Sequence, residues 1–425
     1  MNSDTARLDT TAAPTESKGP LRVLLLSAVG EIGGAERVLL DLIRFAQPGV
    51  RFALLCMADG PLIAAARQAG AERVQVCPWP ERLNRTGDSG VAGVSQALRT
   101  VPTMFANLAL SLPGFERSAQ AVNRAVAEWR PHVIHSNNVK THMLSRRIRP
   151  GAAKLMWHLH DLMSSRRLAR HLLPRMATEV DALVAVSDAV ARDAREVFGP
   201  SAPITVVHNG VDTSRFEPAV GDPSVLGRVR PGLRVGLIAT YARWKGQDVF
   251  IDAVARLPPD VRSRATFYIV GGPIYRTGGS QWSASELEVR IDRAGLRGVM
   301  CLTGFLSDLP AVYRALDVVV HASTQPEPFG LTIAEAMACG RAVAVSAAGG
   351  AVELFNPETE ALSVPPGDAG ALSRTMTRLI EDSELRHRLG VAARARAERS
   401  FSTERLAREL ARVYRYLVFG RGIDL

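Results

Sequence analysis

Two carboxylates, Glu327 and Glu335, flank a loop-to-helix passage, Gln325-Pro-Glu327-Pro-Phe-Gly330-Leu-Thr-Ile-Ala-Glu335-Ala-Met-Ala-Cys-Gly340, directly after a Val-rich run. Pro326 and Pro328 hold the chain extended and disfavour helix before Gly330, and Gly340 suits a helix stop. The amides of Gly330 and Leu331 then open a helix as unpaired donors, a natural anion site for a diphosphate. Glu327 in the loop and Glu335 about one turn into the helix reach different parts of one ligand. Carboxylates accept strong charge-assisted hydrogen bonds from sugar and ribose hydroxyls. Read alone, the same residues also suit a solvated loop and an acidic side chain facing the helix dipole.

Three further clusters sit at strand ends. Tyr241-Ala-Arg243-Trp-Lys245-Gly246-Gln247 places two cations where a leaving diphosphate could be neutralised; its plain reading is a solvated basic turn. Lysine occurs only at Lys18, Lys140, Lys154 and Lys245, which raises the interest of Lys245. Gly30-Glu-Ile-Gly33-Gly34-Ala-Glu36 allows backbone to approach a phosphate or a sugar but lacks the G-x-G-x-x-G dinucleotide spacing. In Trp157-His158-Leu-His160-Asp161 the two histidines share a strand face. No third residue at ligand spacing completes a metal site; a hydrogen bond from His160 to a sugar or a buried structural histidine are the open alternatives.

These elements need a scaffold, and the chain provides two. Its 425 residues exceed one ordinary core. Nearly continuous apolar runs at Leu21–Ser27, Arg51–Met57, Arg73–Cys77, His132–Ser136, Lys154–His160, Ala182–Ser187 and Ile204–His208 read as strands covered on both faces. Helix-length segments such as Gly34–Phe45 and Ala189–Phe198 alternate with them. A second series follows: strands at Arg234–Thr240, Thr266–Gly271, Val299–Thr303, Val318–Ala322 and Ala342–Ser346, helices at Gln247–Leu257, Ser283–Ala294, Leu309–Leu316 and Leu331–Cys339. The expectation is an α/β protein with two doubly wound parallel sheets facing a cleft, ligands lying at the carboxyl ends of the strands. Asp212 to Gly232, rich in Pro, Gly and Asp, reads as the linker, and the chain beyond Ala369 as helical to about Leu417.

Formal net charge is +10, with 52 Lys and Arg against 42 Asp and Glu; this favours anionic partners. Cys56, Cys77, Cys301 and Cys339 are scattered, which argues against a disulfide framework or a zinc site and fits a reducing cytoplasm. The first 20 residues read as a disordered tail. No run approaches a membrane span; the longest apolar stretch, Val101–Phe115, is broken by Asn107, Ser111 and Pro113. A basic group (Lys140, Arg146, Arg147, Arg149, Lys154, Arg166, Arg167, Arg170, Arg175) has only Asp161 as acid between Lys140 and Arg175, suggesting docking on an anionic membrane surface. A solvated basic face is the plain alternative.

The ordered set Gly33-Gly34-Ala-Glu36, His160-Asp161, His208-Asn-Gly-Val-Asp212 with Phe216, Trp244-Lys-Gly-Gln247 and Glu327-x7-Glu335 resembles the retaining glycosyltransferases of family 4, which have the GT-B fold of two Rossmann-like domains. Asp308, Tyr313, Asp317 and the run Gly340 to Glu353 add to the likeness. The resemblance implies a metal-independent hexosyltransferase with no cofactor beyond its co-substrate. It would move a sugar from a UDP- or GDP-linked donor to a glycan or lipid-linked acceptor, with retention. Residues 21–213 would be the acceptor-side domain, 214–400 the nucleotide-sugar domain, and helix 403–418 would pack back on the first. Gly33 and Gly34 would border donor phosphates or acceptor, and His160 would contact the transferred sugar. Lys245, helped by Arg243, would hold the diphosphate, with Gly304, Phe305 and Leu306 beside the nucleobase. Glu327 would hold sugar hydroxyls and Glu335 the ribose, with Phe329, Gly330, Leu331 and Thr332 completing the donor contacts. Ala239-Thr240 stands where the family often has Gly-Arg. The implied setting is cytoplasmic or peripheral at the inner membrane face, with no nucleic-acid partner. An epimerase or phosphorylase on the same fold and a non-enzymatic basic scaffold are the competing readings.

Overall fold

The computed structural model describes residues 19–77, 113–166, 169–227, 230–273 and 279–420. The first sheet comprises β1 (Leu21–Ser27), β2 (Val50–Cys56), β3 (Arg73–Val76), β4 (Val133–Ser136), β5 (Lys154–Leu159), β6 (Ala182–Ala185) and β7 (Ile204–Val206), in the order β3-β2-β1-β4-β5-β6-β7. The second comprises β8 (Leu233–Ile238), β9 (Ala265–Val270), β10 (Met300–Gly304), β11 (Val318–His321), β12 (Ala342–Ser346) and β13 (Leu362–Val364), in the order β10-β9-β8-β11-β12-β13. Every pairing in both sheets is parallel. The central strands are buried along almost their whole length, which is why they read as unbroken apolar runs rather than alternating ones.

Each sheet reverses its strand order once, between β1 and β4 and between β8 and β11. A crevice opens at such a point because the flanking connections leave on opposite faces. Gly33-Gly34 follows β1, Lys245 follows β8 and Glu327 follows β11, so three of the four sequence clusters lie at the two switch points.

Among its described residues the expected linker contains one short 3-10 turn, Pro223–Leu226. Its entry is bound to the chain's last crossing: Val211 bridges Ser402, and Arg405 donates to the carbonyls of His208 and Asn209 at 2.6 and 3.0 Å. The C-terminal segment is three helices, Ala369–Glu381, Ser383–Ser400 and Thr403–Phe419, rather than one. The breaks fall at Asp382 and Ser402, whose side chains cap the helices that follow. The last helix places Leu406, Leu410, Val413 and Tyr414 in the core of the first domain, with Val23, Leu25, Leu39 and Leu54. Another apolar core runs from Trp157 and Val190 of the first domain through Val211, Phe216 and Phe401 to Tyr313, Phe329 and Met337 of the second.

No helix among the described residues is long and apolar enough to cross a membrane. The Val101–Phe115 stretch falls almost wholly outside the described residues. The basic group is less uncompensated than its sequence window suggests. Arg147 meets Glu116, Arg146 meets Glu179, Lys154 meets Asp181 and Arg166 meets Asp161. Three of these acids come from outside the window, so the fold neutralises much of the patch.

Candidate functional site

The passage after β11 takes the shape its prolines require. The chain runs extended to Gly330, whose φ of +106° starts the helix Leu331–Ala338, and the helix stops at Cys339 with Gly340 at φ +64°. Glu327 is buried beneath this loop. Its Oε1 accepts from Lys245 Nζ at 2.5 Å, from Ser323 Oγ at 2.7 Å and from His321 Nε2 at 3.0 Å. Burial alone would raise the pKa of this carboxyl; Lys245 and His321 outweigh it and hold the group well below the usual carboxylate range. All three protein donors fall on Oε1, and Oε2 has no partner among the described residues.

Lys245 reaches this carboxylate because the β8 loop closes tightly on the end of β11. Gly246 has φ +74°, and a Cβ there would stand 1.9 Å from the carbonyl oxygen of Ala322, so only glycine fits. Gln247, fully buried, donates its amide to Thr240 O at 2.7 Å and braces the same loop. The Lys245 ammonium lies 4.0 Å from the centre of the Trp244 ring. It therefore sits between an aromatic face and a carboxylate.

Arg243 does not join it. Its guanidinium stacks 3.8 Å from the Trp282 ring centre, bonds Glu286 at 2.7 Å and donates to Gly279 O at 3.1 Å. The turn Arg243–Lys245 is 3-10, which at three residues per turn points positions 243 and 245 in different directions. The diphosphate role expected of Arg243 is thus taken up by an anchoring one. Phe329 also departs from expectation: it is 3% exposed and packs with His208 and Phe401, ring centres at 6.0 and 5.9 Å. An apolar ring next to a helix start was drawn into the core between the domains. Gly304 ends β10 at φ +72°, and Leu306 is partly buried. Phe305 is 59% exposed, and its ring lies so close to Gly272 that a Cβ there would be 2.5 Å from Cε2.

Across the cleft, Gly34 begins the helix Gly34–Arg44. A Cβ on Gly34 would lie 3.3 Å from Leu331 Cδ1, so the starts of two helices, one from each domain, meet there. Both present unpaired amides and the positive end of a dipole. Glu36 turns back to accept the Gly33 N–H at 3.2 Å; burial pushes its carboxyl up to about 7. Its place in the Gly-Gly-Ala-Glu run is therefore a capping one. Glu335 is 3% exposed, and its Oε2 accepts the Tyr313 hydroxyl at 2.7 Å. Its Oε1 accepts Arg37 Nη1 at 3.0 Å, a bond between the domains.

His160 is partly buried, with Nε2 2.9 Å from Asn137 Oδ1, while Asn137 donates to Ala35 O at 3.2 Å. This ties the histidine to the Gly33-Gly34 loop. Burial lowers its pKa to about 4, so the ring is neutral near pH 7. Behind it lie His158 and His135, fully buried, with ring centres 4.1 Å from His160 to His158 and 5.1 Å from His158 to His135. His135 meets the Tyr414 hydroxyl of the last helix at 2.7 Å. Asp161 pairs with Arg166 at 2.8 Å. Among the described residues one trio, Asp188, His208 and Glu353, brings metal-binding atoms within 4.8 Å of one another. Glu353 there accepts the Asp188 and Ala189 amides, both at 2.8 Å, and His208 Nε2 at 2.9 Å. It is a clasp between the domains.

The structure thus gathers Gly33, Gly34, Lys245, Glu327, Gly330, Leu331 and Glu335 at the two facing switch points. Residues 32–215 match the family profile described as Glycosyltransferase Family 4, and residues 232–396 the one described as Glycosyl transferases group 1. The two matches are consecutive and take in every strand of both sheets except β1. The chain belongs to glycosyltransferase family 4. This family 4 chain is 34% identical over 257 residues to a D-inositol 3-phosphate glycosyltransferase of Salinispora arenicola, a match covering 56% of each protein. It is 30% identical over 261 residues to a GDP-mannose-dependent alpha-(1-6)-phosphatidylinositol monomannoside mannosyltransferase of Mycolicibacterium smegmatis, covering 58% of this chain and 66% of the relative. The chain therefore spans little more than half the length of the first of these curated relatives. The crystal structure of HepE from Anabaena in complex with UDP and glucose superposes with a TM-score of 0.75 at 26% identity, covering 92% of this chain and 99% of that one.

Sequence reasoning missed Arg37, Asn137, His321 and Ser323. For the last two a signal existed: His321-Ala-Ser323 puts two polar groups on one face at the end of an otherwise apolar strand. Arg37 had none, since its partner lies 298 residues away.

Proposed function

We infer that the chain transfers a sugar from a nucleoside diphosphate donor, with the diphosphate lying between the facing helix starts and Lys245. The observation that carries this reading is that Gly34 meets Leu331 where two helix starts face each other, with the Lys245–Glu327 pair in the loop leading into the second of those helices. Amides and a lysine would stabilise charge growing on the departing phosphate. Oε2 of Glu327, free of protein donors, would take a sugar hydroxyl, and Glu335 the ribose. His160, neutral and fixed by Asn137, would act as a hydrogen-bonding partner of the sugar rather than as a cation. Phe305, exposed beside Gly272, would face the nucleobase.

Retention with a front-face attack accords with this arrangement, because the leaving phosphate itself would accept the acceptor proton. Glu36, the carboxyl of the Gly33-Gly34 run whose pKa burial raises to about 7, is turned onto Gly33 and offers no free base. The positive charge would come from lysine and backbone, so transfer would proceed in the presence of chelator. The solved HepE complexes with UDP, and the mannosyl relative's dependence on GDP-mannose, make UDP and GDP sugars the donors to test; a glycan or lipid-linked molecule is the acceptor class.

The test is a thermal-shift series with UDP and GDP. A ligand that binds only the native chain raises its melting temperature by mass action. One of the two should raise it; a melting temperature unmoved by either at millimolar concentration would contradict the reading. Product analysis of the transferred sugar's anomeric configuration, with and without chelator, then decides retention and metal independence.

A further inference from the structure

The donor site as assembled is short of cations. Lys245 is neutralised by Glu327 at 2.5 Å, and Arg243 is occupied by Trp282 and Glu286. Thr240 stands where an arginine was expected. A diphosphate adds two negative charges beside two carboxylates, Glu327 and Glu335. The helix amides supply partial charge but no full countercharge.

Arg37 fills this gap from the opposite domain. It lies three residues, almost one turn, beyond Gly34 on the acceptor-side helix, and Glu335 lies four residues beyond Leu331 on the donor-side helix. Since Gly34 abuts Leu331, Arg37 and Glu335 are set one turn behind the same meeting point. The guanidinium uses only Nη1, on Glu335 Oε1. Of its five N–H donors, four have no protein partner among the described residues. The side chain is 41% exposed, whereas that of Glu335 is 4% exposed, so the fork is accessible while its anchor is not. Arginine suits this task because one edge of the fork can stay on a carboxylate while the other presents two N–H groups to phosphate oxygens.

We propose that Arg37 is the cation that the acceptor-side domain supplies to the donor, held ready by Glu335 and offering its free N–H edge to the diphosphate across the cleft. Resting on the donor-site reading above, this assigns the second phosphate cation to a residue outside the nucleotide-sugar domain. It also makes diphosphate binding depend on the two domains being in contact. A nucleotide lacking the phosphates would not use Arg37, and the nucleotide-sugar domain alone would lack it.

The test uses the full chain, Arg37→Ala and Arg37→Lys, with calorimetric affinities for the nucleoside diphosphate that binds the unaltered chain and for the matching nucleoside. A charge-assisted hydrogen bond lost on binding corresponds to about a 10- to 100-fold change. Arg37→Ala should weaken the diphosphate by that factor and leave the nucleoside within about twofold, with Arg37→Lys in between, restoring charge but not the fork. Equal affinity of Arg37→Ala and the unaltered chain for the diphosphate would overturn the proposal alone. Equal weakening of nucleoside and diphosphate would also overturn it, since Arg37 would then act through Glu335 and the ribose. An unaltered chain that binds neither UDP nor GDP would remove the donor-site reading, and this proposal with it.

Discussion

Glu327→Gln isolates the charge of the buried pair while keeping its shape. In the structure one oxygen of Glu327 gathers Lys245, Ser323 and His321, and the carboxyl stays ionised although burial opposes it. Glutamine can still accept from the same three donors, so the loss is charge assistance rather than the whole contact. Hydrogen bonds to charged groups contribute about 1.5–3 kcal/mol against about 1 for neutral ones, and Lys245, 20% exposed, is left with no countercharge. A loss of roughly 2 kcal/mol in unfolding free energy is expected, against a total of about 5–15 for a folded domain, so the variant should fold. The effect on ligand should have the opposite sign. A lysine released from its carboxylate would hold the nucleoside diphosphate more tightly, while turnover falls because the sugar loses its carboxylate and product leaves slowly. Denaturant titration, calorimetry and turnover assays together read this pattern. Unchanged stability would mean that solvent already screens the pair, and weaker diphosphate binding would refute the claim that Glu327 neutralises Lys245.

Two more outcomes follow from the same geometry. Arg243→Ala should cost about 0.5–2 kcal/mol through the lost stack on Trp282 yet leave diphosphate affinity within about twofold by calorimetry; a large loss of affinity would return Arg243 to the donor site. Acid should destabilise the chain. Burial lowers His135 to about 3 and His160 to about 4 and holds His142 and His158 well below 6.5. The unfolded chain takes up these four protons first as pH falls through 6.5, so their stabilisation is complete above that value and lost below it. Glu36 and Asp41, raised by burial to about 7, work the other way, binding protons in the folded state and gaining stability as pH falls from 7 towards 4.5. Four histidines against two carboxyls leave stability falling as pH drops below 6.5; a melting temperature flat from 6.5 to 4.5 would contradict it.

How much of this could be read from sequence depended on the range of each contact. The strands of both sheets were legible because burial on both faces leaves continuous Val and Leu runs. β13, three residues long at a sheet edge, left no such run. Lys245 and Glu327 were legible because each stands at a strand end beside Pro and Gly that fix the backbone. Arg243 looked equivalent to Lys245 because its partner Trp282 lies far along the chain, and only the fold shows that the turn points them apart. Phe329 looked like a ligand contact because an aromatic ring beside a helix start serves equally as core, and His208 and Phe401 decide which. The basic group is partly offset for the same reason: Glu116, Glu179 and Asp181 pair with Arg147, Arg146 and Lys154 from outside the window in which charge was compared.

The central claim is that the diphosphate of a nucleotide sugar lies where the two helix starts meet, beside Lys245. A crystal structure with UDP or GDP tests it most directly. The account predicts phosphate oxygens within hydrogen-bond distance of the Leu331 amide and Lys245 Nζ, with ribose hydroxyls at Glu335. A nucleotide bound elsewhere, or phosphates turned away from Lys245 and the Gly330-Leu331 amides, would contradict it.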